Sequence, residues 1–172
     1  MAADSLEIAN LALSLIGEAS IVTLDNSTPS GRAASLHYLP VRDALLRSHP
    51  WNFAQVRAQL TADIIAPLFD WGYAYTMPAA CLCLTEINGI PVAEPRTDYL
   101  IEGRKILTNT STLVAAVSTI NIIYTSNAPA VPTYDPLFVE ILTLKLAIAI
   151  ADKITQSKSK ASELTQQLER IS

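Results

Sequence analysis

Charged residues and glycines are both scarce in this chain of 172 residues. Asp, Glu, Lys and Arg make up 16% of the sequence and hydrophobic residues 50%, a balance that excludes intrinsic disorder for most of the chain. Five glycines leave little material for a phosphate-binding loop, and neither a glycine-rich nucleotide motif nor a nucleophile elbow is present. The apolar excess is larger than one subunit of this size needs to bury, which favours an oligomer.

Cysteine and histidine are too few to indicate a chemical site. Cys81 and Cys83 cannot build a disulfide framework, and no second Cys or His pair completes a zinc site. His37 and His49 lie twelve residues apart, with Asp43 between them, but no nucleophile can be assigned to them. The sequence therefore predicts no catalytic residue, no metal ligand and no cofactor.

The charge pattern also limits the possible partners. The chain has 12 basic and 16 acidic residues, a net charge of −4, which argues against a protein that grips nucleic acid through its phosphates. The first six residues include Asp4 and no Lys or Arg, so no signal peptide is expected. The most apolar run, residues 137–151, contains Glu140 and Lys145 and is too short to span a membrane. We expect an intracellular, soluble protein.

Apolar residues at helical spacing predict two helices at each end of the chain. Asp4 can cap the first helix, and Gly17 supplies its left-handed stop. Asp135 is a good N-cap for the third helix, with Pro136 at the first helical position. Pro40 lies inside the second helix and predicts a kink or a break. The predicted helices are residues 5–16, 31–48, 136–155 and a segment from residue 158 on.

The middle of the chain changes from helical spacing to alternation, which is typical of strands. Strands are expected at residues 56–60, 71–77, 81–87, 99–101, 105–108 and 119–125, with turns at Asn88 and Gly103. The predicted fold is α+β. A helical bundle is formed by residues 1–53 and 134–172, and a mainly antiparallel β subdomain, residues 54–127, is inserted into it within a single domain.

Two further features point to packing or assembly. Trp51 and Phe53 follow Pro50 at the junction between helix and sheet, as a structural hinge or as an interface anchor. In the last helix Leu164, Leu168 and Ile171 recur at helical spacing. This stripe either contacts another protein or closes the bundle of its own subunit.

Several stretches, taken together, resemble one known family. They are residues 11–18 (LALSLIGE), 21–25 (IVTLD), 36–54 (LHYLPVRDALLRSHPWNFA) and 135–140 (DPLFVE). This combination resembles the head-to-tail adaptor proteins of tailed bacteriophages, called tail tubular protein A in short-tailed phages. The residues that carry the resemblance are Gly17, Glu18, Arg42, Asp43, Pro50, Trp51, Asn52, Phe53, Asp135 and Pro136.

The resemblance implies a structural protein of the virion. About twelve copies would form a ring beneath the portal, continue the DNA channel and join the portal to the nozzle or another tail component. Such a protein would be made in the host cytoplasm, would have no catalytic residues and would let the genome pass without sequence-specific binding. The mild negative charge suits a channel through which DNA slides.

One departure from the family affects the expected portal contact. Some members carry a long C-terminal extension that reaches into the portal, whereas this sequence ends at Ser172. The last helix, with Leu164, Leu168 and Ile171, or loops of the β subdomain are expected to make that contact instead. Two alternatives to the adaptor stay open: another neck ring protein, for head or tail completion, and a small-ligand module or enzyme.

Overall fold

The computed structural model describes residues 4–25, 27–92, 98–110, 112–114, 117–155 and 158–170. The chain forms two compact units, a helical unit of residues 1–49 and 129–172 and a β unit of residues 50–128. The helical unit is therefore discontinuous in sequence, and the β unit is inserted into it. Helices in one unit and antiparallel sheets in the other confirm the predicted α+β fold.

The helical unit is organised around its third helix. Its helices are α1 (Ser5–Leu15), α2 (Pro29–Ser48), α3 (Pro136–Thr155) and α4 (Lys158–Glu169). The helix α3 contacts each of the other three, in agreement with its apolar residues on all sides. The core comprises fully buried side chains from α1, α2 and α3: Ile8, Leu13, Leu46, Phe138, Leu142, Leu146 and Ile150.

The helix caps account for most of the helix boundaries. The Asp4 Oδ1 atom accepts a hydrogen bond from the Glu7 backbone N–H at 2.7 Å, and the Asp135 Oδ1 atom accepts one from Leu137 at 2.8 Å. Both residues therefore cap helix N-termini as predicted. Gly17, directly after α1, has φ +81°, the left-handed conformation that glycine adopts without strain.

The second helix starts two residues earlier than expected and is continuous. The Thr28 Oγ1 atom accepts a hydrogen bond from the Gly31 N–H at 2.9 Å, and Pro29 takes the first helical position. The helix passes through Pro40 without a break. Pro40 has no N–H group to donate to the Leu36 carbonyl group. Leu36 and Pro40 are both exposed, so this carbonyl group lies on the solvent side of the helix.

The β unit contains two antiparallel sheets. Its strands are β1 (Gln55–Thr61), β2 (Tyr73–Thr76), β3 (Cys81–Ile87), β4 (Ile90–Pro91), β5 (Tyr99–Glu102), β6 (Lys105–Thr108), β7 (Thr112–Val114) and β8 (Val117–Ser126). In one sheet β8 pairs with β1, β3 and β7, and β4 pairs with β3. In the other sheet, the order is β2-β6-β5. The short strands β4 and β7 were not predicted.

Alternation along the strands places one face of each sheet in a shared core. Buried side chains from both sheets form it: Tyr75, Tyr99 and Ile106 from one, and Leu84, Ile87, Ile120, Ile122 and Tyr124 from the other. The predicted turns lie at Asn88, Gly89 and Gly103, which all have positive φ angles. A register shift between Cys81 and Cys83 marks a bulge in β3, and both thiols are free.

A substitution at Gly31 tests the start of α2. A β-carbon at this position would lie 2.8 Å from the Asp25 backbone oxygen and 2.9 Å from Thr28 Oγ1. Gly31→Ala should therefore lower the free energy of unfolding by about 1–3 kcal/mol, as overpacking does. Helix propensity alone would raise it by about 0.5–1 kcal/mol. Urea unfolding followed by circular dichroism measures the difference.

The exposed helix position Ala44 provides the matched control for this test. Ala44→Gly should lower stability by about 0.5–1 kcal/mol through propensity alone. A Gly31→Ala variant that is as stable as the unsubstituted chain would contradict the close contact with the Asp25 carbonyl group.

Candidate assembly surfaces

Two family-motif residues, Arg42 and Asp43, form an ion pair on α2. The Arg42 Nε and Nη2 atoms donate to the same carboxylate oxygen of Asp43, at 2.8 and 2.6 Å. The Arg42 side chain is 14% exposed and that of Asp43 31% exposed, so the pair is screened from water on the Arg42 side. Arg42 and Asp43 are neighbours in sequence, and the positive charge of Arg42 also acts on the pKa of Tyr134.

Two buried tyrosines complete this polar cluster. Tyr38 is 3% exposed and Tyr134 is 8% exposed, and each of the two phenols influences the pKa of the other. Burial raises the pKa of Tyr38 well above its usual range, and the neighbouring Tyr134 adds to the effect. Burial also raises the pKa of Tyr134, although the guanidinium group of Arg42 acts in the opposite direction. Both phenols therefore stay neutral at physiological pH.

The polar cluster ties the second helix to the start of the third. Tyr134 directly precedes the cap residue Asp135 and the first helical residue Pro136, and its ring packs edge-on against Phe138 at 4.8 Å. Two motifs that lie far apart in sequence, Arg42 with Asp43 and Asp135 with Pro136, thus belong to one region of the helical unit. Both motifs therefore serve to hold the helices of this unit together.

The Gly17-Glu18 motif joins the first two helices. The backbone N–H groups of Gly17 and Glu18 donate to the carbonyl groups of Ser14 and Leu13, at 3.1 and 3.0 Å, which closes the end of α1. The Glu18 carboxylate then accepts a hydrogen bond of 3.2 Å from the Ser30 hydroxyl group in the first turn of α2. A carboxylate near a helix N-terminus is also favoured by the helix dipole.

The junction motif lies at the start of the β unit. Asn52–Ala54 form a single 3-10 turn, closed by a 3.0 Å bond from the Ala54 N–H to the Trp51 carbonyl group. The rings of Trp51 and Phe53 are tilted by 35°, with centroids 6.0 Å apart, and both residues are half-buried. Pro50 and Asn52 are exposed. The turn therefore places both aromatic rings in contact just before β1.

The stripe on α4 divides between core and surface. Leu164 is 2% exposed and packs inside the helical unit, Leu168 is half-buried, and Ile171 lies outside the described residues. The burial of Leu164 favours the second of the two alternatives for this residue, in which the stripe closes the bundle of its own subunit. The reason is that α4 packs on the apolar helix α3. A portal contact through another face of α4 stays a prediction.

The most exposed apolar surface was not singled out from the sequence. Between β1 and β2 runs a segment, residues 62–72, that we call the tip loop. It carries Ile64 at 104% relative exposure, Leu68 at 96%, Ile65 at 79% and Phe69 at 74%. The run IIAPLF does not alternate and contains Pro67, and this signal predicts an apolar segment outside the sheets. Whether such a run is exposed depends on the tertiary fold.

The first end of the tip loop is fixed by Asp63. Its backbone N–H donates to the Ala74 carbonyl group at 2.8 Å, and its carboxylate accepts a 3.0 Å bond from the Thr76 hydroxyl group. Lys105 Nζ lies 2.8 Å from the same carboxylate. The hydrogen bond from Lys105 and those from Thr76 hold the pKa of Asp63 below its usual range.

The second end of the tip loop is fixed by Asn109. The Asn109 Oδ1 atom accepts a bond of 2.6 Å from the Gly72 N–H, and its Nδ2 atom donates to the Asp70 carbonyl group at 3.3 Å. Asp70 itself has φ +67°, a conformation that aspartate and asparagine tolerate better than most residues. The loop is thus anchored at both ends while its apolar side chains point into solvent.

A second partly apolar surface lies on the helical unit. A groove of about 610 Å³, which we call the α2 groove, is lined by Ala33, Leu36 and Ile154, with the basic residues Arg32 and Lys153. Leu36 is 62% exposed, and Leu39, one turn further along α2, is 52% exposed. The Lys153 ammonium lies 3.1 Å from His37 Nε2. The described surface therefore combines exposed leucines with positive charge.

Neither a membrane span nor a metal site is found among the described residues. None of the helices, as far as the structure describes them, is long and apolar enough to cross a bilayer. In the same parts of the chain no three His, Cys, Asp or Glu side chains lie close enough together to hold a metal ion.

The comparisons with known proteins leave the family open. No protein-family model matches the sequence. No curated protein matches it to a significant degree either. The surfaces of this chain and the motifs in its sequence are therefore what indicates its function.

The buried tyrosines give the chain an alkaline limit of stability. A raised pKa in the folded state means that the unfolded chain releases phenolic protons first. The stabilisation is fully present below about pH 10, the usual tyrosine pKa, and is lost as the pH rises above it. Urea unfolding at pH 8 to 11 should show this loss, and replacing both Tyr38 and Tyr134 with Phe should reduce it.

Tyr73→Phe, which removes one hydroxyl group from a half-buried residue of the β unit, serves as the control. Absorbance of tyrosinate at 295 nm reports ionisation in the same samples. Equal pH dependence in the double Phe variant and the unsubstituted chain would contradict the assignment.

Proposed function

We propose that this protein is a structural subunit of a phage virion, a head-to-tail adaptor. Its copies form a ring under the portal, continue the DNA channel and join the portal to the nozzle or another tail component. The observation that carries the proposal is the tip loop, an anchored segment that holds four large apolar side chains in solvent. Exposed apolar surfaces of this kind mark places where another molecule binds, and in the proposed role that molecule is a protein.

The motif residues support the adaptor over an unspecified assembly protein. Gly17 and Glu18 close α1 onto α2, and Arg42 and Asp43 connect α2 to the start of α3. Each part of the family resemblance in the helical unit therefore corresponds to a joint of the bundle. A helical bundle with these joints, interrupted by a β unit, agrees with the α+β arrangement expected from the sequence pattern.

The surface chemistry of the β unit is compatible with DNA that slides past. The outer face of the five-stranded sheet has a groove of about 600 Å³ lined by amides, with one positive residue, Arg57, and one negative residue, Glu86. The side-chain amides of Gln59 and Asn121 bond across β1 and β8 at 3.0 Å. Such a face offers hydrogen bonds without net positive charge, so it would not hold phosphates tightly.

Light scattering on the full chain, alone and mixed with the portal ring encoded beside it, tests the proposal. The expected result is a gain of about twelve subunit masses per portal ring, the copy number that the resemblance implies for a closed ring. The sample without portal gives the reference mass. No gain with an intact portal would contradict the adaptor role and would favour another neck ring, for which tail components are the partners to mix next.

A further inference from the structure

The tip loop requires a partner with two properties. Its exposed side chains Ile65, Leu68 and Phe69 need an apolar surface to cover them. Beside them is a hollow of about 350 Å³ lined by the acidic residues Asp70 and Glu102 and by Lys105, whose ammonium group is paired with Asp63. The preferred partner surface is therefore apolar at its centre and positively charged at its edge.

The α2 groove of the same chain has both properties. Leu36, with Ala33 and Ile154, supplies its apolar lining, and Arg32 and Lys153 supply positive charge. The groove also contains the carboxylate of Glu18, so its three charged residues together carry one net positive charge. Tip loop and groove are thus complementary in polarity and in charge.

We propose that the tip loop of one copy docks into the α2 groove of the next copy around the ring. This inference rests on the proposed function, since it supplies the contact that joins ring subunits. Loop and groove are different surfaces of one chain, so the contact is heterologous: each copy donates a loop to one neighbour and receives one from the other. Repetition of a heterologous contact generates a ring when its rotation closes.

The charge of the loop argues for a protein surface over a lipid surface. Loops that insert into anionic membranes place basic residues beside their apolar side chains. The tip loop instead has Asp63 and Asp70 near its two ends, and Lys105, its nearest cation, is paired with Asp63. Anionic headgroups would repel such a loop, whereas Arg32 and Lys153 would attract it.

Cross-linking of cysteine variants tests the direction of the contact. Leu36→Cys places a thiol at the groove and Leu68→Cys places one on the loop, both at exposed positions. All variants also carry Cys83→Ser, because the half-buried thiol of Cys83 could react with the cross-linker. Cys81 is kept, since its thiol is buried. The full chain is mixed with the portal ring and treated with a short bis-maleimide, and the products are separated on a denaturing gel.

A heterologous contact predicts a specific pattern of products. The chain with both cysteines should give a ladder of covalent oligomers, because every contact in the ring is linked. Each single variant should stay monomeric, and an equal mixture of the two should give dimers and nothing larger. Leu36→Cys combined with Ile90→Cys, an exposed residue of β4 outside the tip loop, is the matched control and should give no ladder.

Three results would overturn the proposal. Dimers from one single variant would indicate a symmetric contact, and a link to the portal in place of the ladder would make the tip loop a portal anchor. Absence of a ladder would contradict the docking contact, whether or not the chain binds the portal. Light scattering on the same samples distinguishes the docking contact from the adaptor role. A mass gain without a ladder would support the adaptor role alone, and a ladder without a mass gain would support the docking contact alone.

A variant at Asp70 tests the charge part of the contact. Asp70→Asn keeps a residue type that tolerates the positive φ angle and removes one negative charge. The yield of the ladder at limiting concentration should fall about two- to fivefold, as expected for an edge charge, and the difference should disappear in high salt. An unchanged yield at low salt would show that Asp70 does not face the basic edge of the groove.

Discussion

The helical unit depends on the burial of α3. Phe138, Leu142, Leu146 and Ile150 are fully buried, and Ile141, Leu144 and Ala147 on other sides of the helix are nearly so. One neighbouring helix can cover only part of such a surface, so α1, α2 and α4 all pack on α3. Since α1 and α2 precede the β unit in sequence and α3 follows it, burial of α3 brings the two ends of the chain together. The β unit is therefore an insertion that the core of the helical unit does not require.

An apolar bundle leaves few places for polar groups, and these are used at the joints. The Arg42 side chain is only 14% exposed, where an unpaired guanidinium group would be costly, and it is paired with the carboxylate of Asp43. The two tyrosines keep their phenols neutral, so burial demands no further counter-charge. Arg42 and Asp43 therefore act at the place where α2 meets the start of α3.

Much of the fold could be predicted, because its signals are local. Asp4, Gly17 and Asp135 act through hydrogen bonds or backbone angles within one turn, and alternation identified the long strands. Three features depend on distant residues and were missed or left open. Thr28 was not predicted to cap α2, and β4 and β7 are too short to show alternation. The sequence left open whether Leu164 is buried, which it is because α4 packs on α3. The exposure of the tip loop has the same origin, since six apolar residues in a row read equally well as core.

In the role proposed above, the protein would have to keep an apolar docking surface without aggregating before assembly, and the tip loop has features that suit both demands. Pro67 lies in the middle of its apolar run and has no backbone N–H to donate, so the run cannot pair as a regular strand. Asp63 and Asp70 flank the run with negative charge, as gatekeeper residues do beside aggregation-prone segments. Anchoring through Lys105 and Asn109 keeps the loop from extending into an edge strand. The apolar side chains of the tip loop then fit a surface that receives a loop. A groove is therefore a better binding surface for them than the edge of a sheet.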